Sequence, residues 1–65
     1  MKTKLIKQNC KEMYSGKITN GMVANVEEMF NEFMSDKESK GLENDVNIFF
    51  DEMYLDIECE LESWD

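Results

Sequence analysis

Between Met22 and Met34 the apolar residues recur at intervals of three and four: Met22, Val23, Val26, Met29, Phe30, Phe33 and Met34. Drawn at about 100° per residue, all seven fall on one side of a helix, and the rest of the chain has to cover that side. Thr19 or Asn20 can cap the start, since a short polar side chain there accepts a hydrogen bond from an otherwise unpaired amide. Lys37 and Lys40 suit the negative end of the helix dipole, and Gly41 is placed to terminate the helix. The pattern predicts a helix from about 20 to 39.

A second stripe at helical period runs through Leu42, Val46, Phe49, Phe50, Met53, Ile57, Leu61 and Trp64. Its last part is ambiguous. Leu55, Ile57, Cys59 and Leu61 also alternate with Asp56, Glu58, Glu60 and Glu62, which is the period-2 signature of a strand. Glu forms helices well, and Glu and Asp form strands poorly, so one helix from about 44 to 63 is preferred. The alternative is a helix ending near Tyr54, followed by an acidic strand that pairs with the Lys-rich N-terminus.

Ile6, Cys10, Met13 and Tyr14 fit one face of a short helix ending near Ser15 and Gly16, although Lys2–Gln8 also reads as an edge strand. A short 40–43 connection makes the two longer helices antiparallel neighbours. The expected architecture is all-α. Residues 1–65 form one small domain, a helical hairpin with a shorter first helix across it in a three-helix arrangement. An α+β fold with N- and C-terminal strands pairing is the alternative.

Charge is divided along the chain. Residues 1–17 carry five Lys and one acid, whereas Glu27 to Asp65 holds fourteen acids against Lys37 and Lys40, giving −8 overall. Self-repulsion on so short a chain opposes compaction, which points to solubility or to a basic partner. A chain of 65 residues also buries a modest core, so oligomerisation (a homodimer, for example) or folding on a partner is an expected source of further stability. Two cysteines, Cys10 and Cys59, make no secreted disulfide framework and are expected to be reduced thiols. A single bridge between them is the alternative. No apolar run matches a signal-peptide core or a membrane span, and the acidic balance repels anionic lipid and nucleic acid. The expectation is a cytoplasmic protein that does not bind DNA, RNA or membrane directly.

The sequence lacks histidine, and with it the commonest general base and metal ligand. It has no glycine-rich phosphate cradle and no cysteine spacing for zinc. Asp36, Glu38, Lys40, Gly41 and Asn47 occupy positions 1, 3, 5, 6 and 12 of a calcium loop, but a cation sits at position 5 and Asn replaces the closing Glu. A C-cap followed by an N-cap accounts better for that stretch. No cofactor, metal or catalytic residue is expected, and a short helical hairpin has little room for a pocket that shifts a carboxyl pKa. The chain is expected not to be an enzyme.

What remains is the acids. Glu28, Glu32 and Asp36 form a ladder at i, i+4, i+8, opposite the apolar stripe of the first long helix. Asp45, Glu52, Asp56 and Glu60 flank the second stripe on one side, with Asp51, Glu58, Glu62 and Asp65 on the other. Successive i, i+4 carboxylates lie about 6 Å apart along the axis, comparable to neighbouring phosphates on a strand. Like charges at that spacing destabilise an isolated helix by about 0.2–0.5 kcal/mol a pair, and almost no Lys at i, i+4 offsets them. A purely structural helix avoids that cost with Lys. If the second long helix is continuous, Leu55 and Cys59, with Tyr54 at the edge, lie off the stripe and form an exposed apolar patch amid acids, which suits a protein interface and equally a contact for the first helix or for a second subunit. The functional expectation is a nucleic-acid mimic that occupies and inhibits the basic surface of a nucleic-acid-binding protein. Glu28, Glu32, Asp36, Asp51, Glu52, Asp56, Glu58, Glu60 and Glu62 stand in for phosphates, and Leu55 is an apolar contact. In general style this resembles the small acidic inhibitors that phages make against host defence or transcription proteins. Competing readings are an ordinary solvated face, a helical assembly protein that self-associates, and a dedicated regulator of one protein bound through the apolar patch.

Overall fold

The computed structural model describes residues 1–64, and among them the chain is helical throughout its regular structure: α1 (Lys2–Met13), α2 (Asn20–Phe33), α3 (Leu42–Glu52) and α4 (Tyr54–Ser63). The all-α expectation holds. Neither strand alternative does, since Lys2–Gln8 lies within α1 and residues 55–61 lie within α4.

α2 is built as its sequence requires. Thr19 Oγ1 accepts from the Met22 amide at 3.3 Å, and the Thr19 amide donates to the Met22 sulfur at 3.2 Å, a capping box with a thioether in place of the usual carboxylate. Met22, Val23, Val26 and Phe30 are buried. The helix stops at Phe33, earlier than expected, and residues 34–41 form the connection to α3. Lys37 folds back over the terminal turn, its Nζ 4.1 Å from the Phe33 ring centroid. Gly41 does not end α2. It is the N-cap of α3, at φ 110°, a left-handed conformation that favours glycine.

α1 starts with lysines and no acid in its first turn, the wrong sign for the helix dipole. Packing holds it nonetheless. Ile6 and Cys10 are fully buried, Lys2 Nζ donates to Asn31 Oδ1 at 2.9 Å, and Thr3 Oγ1 donates to Glu27 Oε1 at 2.6 Å. These ties set the start of α1 beside the end of α2, so the two helices run antiparallel.

The expected single helix over 44–63 is broken at Met53, which takes φ −105° and ψ 20°. Two contacts explain the break. Phe49 meets Phe30 at 5.3 Å between ring centroids, and Glu60 takes a hydrogen bond from Asn25. The contact points lie five residues apart on α2 but eleven apart on α3–α4, about 8 Å against about 17 Å along straight helices. A straight rod fits this pair of contacts poorly, and with the break at Met53 Ile57 and Leu61 of α4 are completely buried. Trp64, expected in the core, is 49% exposed. Its ring covers Gly21, where a Cβ would come within 2.9 Å of Cζ3.

The core centres on Phe49, fully buried and in edge or tilted contact with Phe30, Phe33 and Phe50. Phe49→Ala is expected to lower unfolding free energy by about 3–5 kcal/mol, much of the total for a chain of this size. Leu55→Ala, on the exposed face, should stay within about 0.5 kcal/mol. Urea titrations followed by far-UV circular dichroism measure both.

Candidate functional site

The acids expected to stand in for phosphates are divided by the fold among different surroundings. Glu28 and Glu32 are exposed on α2, but Asp36 lies beyond the end of that helix, in the connection, so the ladder is two residues long. Glu28 also lines a groove between α1 and α2 together with Lys4 and Lys7. Asp51 faces the end of α1 in a groove with Glu12, Met13, Asn47 and Tyr54. Glu52 borders a cleft of about 290 Å³ with Lys37, Lys40, Phe33 and Ile48.

α4 holds the densest run. Asp56 and Glu62 are exposed, and Glu58 and Glu60 are half-buried. Asp65 lies outside the described residues. Glu60 is a tie between helices, its Oε2 accepting from both Asn25 Nδ2 and Trp64 Nε1, the latter at 3.0 Å. Leu55 is 71% exposed, with Cys59 one turn away and also exposed, so the apolar patch is present as expected.

Asp45, expected on an acidic flank, is 5% exposed. Its Oδ2 accepts from Ser39 Oγ at 2.6 Å and its Oδ1 from the Lys40 amide at 3.0 Å, so the carboxylate pins the 34–41 connection to the first turn of α3. An acid in a first turn is a legible helix-start signal, but its reach back into the connection is not. The Ser39 hydroxyl, then the Lys40 amide, hold the Asp45 carboxyl below its ordinary value of 3.8, with the Lys40 charge helping and burial opposing. Because the folded pKa lies below the unfolded one, the stabilisation is present above about pH 4 and is lost as pH falls through the folded value. The stability gap between the native chain and Asp45→Asn is therefore expected to be largest near neutrality and to close in acid, as read by urea midpoints from pH 7 to pH 2.5.

The cysteines are unpaired, Cys10 buried and Cys59 exposed. Burial pushes the Cys10 thiol up to about 11. One thiol per chain should react promptly with a disulfide reagent and the second only on unfolding. Two fast thiols would contradict the burial of Cys10.

Among the described residues no group of three or more His, Cys, Asp or Glu is placed to hold a metal ion, and no helix is long and apolar enough to cross a membrane. The chain matches no protein-family profile, no curated protein and no solved structure with which it was compared.

Proposed function

We propose that the chain is a non-enzymatic, cytoplasmic binding protein whose α3–α4 surface occupies the basic groove of a nucleic-acid-binding protein and excludes the nucleic acid. The observation that carries the reading is the charge of residues 42–64, which hold eight acids and no cation. Five of the eight, Glu43, Asp51, Glu52, Asp56 and Glu62, are exposed. Such a surface tolerates repulsion that Lys at i, i+4 would relieve, and a cationic groove relieves it on binding. Leu55 supplies an apolar contact amid the charge, the arrangement of a hot spot ringed by polar residues. In style this is the phage inhibitor of a host protein, by analogy of composition.

Asp45 and Glu60 are excluded from the contact set, because their oxygens already accept hydrogen bonds from Ser39, Lys40, Asn25 and Trp64. The test uses the immobilised chain in nuclease-treated host lysate, eluted with salt and then with competing DNA or RNA. A basic nucleic-acid-binding protein released by polynucleotide is expected, with affinity falling steeply as salt rises. The double reversal of Glu52 and Asp56 to Lys should weaken that complex by about tenfold or more, and Glu28→Lys by much less. Equal losses from the two, or a complex that polynucleotide cannot displace, would sink the reading. The exposure of Leu55 favours one second reading, self-association through that patch, which predicts melting that depends on concentration and is abolished by Leu55→Glu.

A further inference from the structure

The junction between α3 and α4 is one residue, Met53, and neither glycine nor proline occurs anywhere from Leu42 to Trp64. Helical hydrogen bonds bracket it. The Met53 amide donates to the Phe49 carbonyl at 2.9 Å, and the Ile57 amide donates to the Met53 carbonyl at 2.9 Å. The local sequence therefore favours one continuous helix, and the contacts with α2 impose the bend. The bend leaves two faults at the junction. No side chain caps the first amides of α4, and α3 ends on Asp51 and Glu52 with no cation in its last turn, the wrong sign for the dipole. Straightening Met53 removes both, because the carbonyls at the end of α3 and the amides at the start of α4 are each other's helical partners.

A straight α3–α4 rod fits both of its contacts with its own α2 poorly, given the mismatch of about 8 Å against about 17 Å. It can deliver α4 to another chain. We propose that the protein has a second, domain-swapped state in which Met53 adopts helical angles, α3 and α4 fuse into one helix, and each α4 docks on the α2 of a second copy. The occupant of the vacated site is specified by the site itself. Ile57 and Leu61 refill the core of the other copy, Glu60 meets its Asn25, and Trp64 covers its Gly21. The side-chain contacts are those of the monomer, so the balance rests on the hinge and on the cost of association. Two chains of −8 repel, so added salt shifts the balance toward the dimer. The inference does not depend on the proposed partner, since it concerns the chain alone.

The test is sedimentation velocity on the full chain from micromolar to millimolar, at low and high salt, with Met53→Ala and Met53→Gly. Both variants lose the same side chain and differ in helix propensity, and each swapped dimer holds two hinges. The dimerisation constant should therefore be about thirtyfold larger for Met53→Ala than for Met53→Gly. Met53→Leu, which keeps most of the side-chain volume, should dimerise at least as well as the native chain. Circular dichroism at micromolar concentration checks that each variant is folded, and Met53→Leu carries the comparison should the smaller residues fail. Leu55→Glu separates the swap from association through the exposed patch. Dimerisation that survives Leu55→Glu and follows the propensity order supports the swap. Equal constants for Ala and Gly at the hinge, loss of the dimer with Leu55→Glu, or monomers throughout in Met53→Ala and Met53→Leu would overturn it.

Discussion

Phe49 is where the fold is decided. Its ring is fully buried against Phe30 and Phe33 of α2's face and against Phe50 beside it. A chain of 65 residues has too little interior for a second core. Each helix is short, between 10 and 14 residues, and such helices are marginal alone. Their stability comes from the apolar stripe each one lays on this cluster. α1 shows the dependence most plainly. Its first turn is electrostatically unfavourable, and it is held by Ile6, Cys10 and its polar ties to α2.

The negative charge acts at two levels. Some acids are structural members. Asp45 fixes the connection before α3, Glu60 joins α4 to α2, and Glu27 anchors α1 through Thr3. Others, such as Glu43, Asp56 and Glu62, face solvent and add repulsion to a fold with little stability to spare. The proposed function draws on this second group alone. The distinction is invisible in a helical projection, where Glu60 and Asp56 sit on the same flank four residues apart.

Sequence and structure agree where a signal is local. The stripe of α2, the Thr19 cap and the exposed patch of Leu55 and Cys59 follow from spacing and side-chain chemistry, and the structure has all three. The departures from the sequence pattern share a cause. Lys37, Lys40 and Gly41 carry the signals of a helix end, yet α2 stops at Phe33, and the eight residues 34–41 lead into α3, where Val46 is buried and Leu42 packs against the core. Trp64 looked like core, yet its ring lies on Gly21 at the surface. The ladder through Asp36 failed for the same reason as the end of α2.

The sequence by itself determined that α2 is a helix, where it begins, and which side of it turns inward, and it favoured helix over strand elsewhere. Those properties depend on hydrogen bonds and side chains within a few residues of one another. Only the tertiary structure decided the bend at Met53, the burial of Asp45 and the pairing of Asn25 with Glu60. The burial of Asp45 follows from the 34–41 connection folding back onto the first turn of α3, and the bend and the pairing follow from how far apart two contact points lie on different helices. That distance exists only once the helices have packed, and no residue type at position 53 announces it.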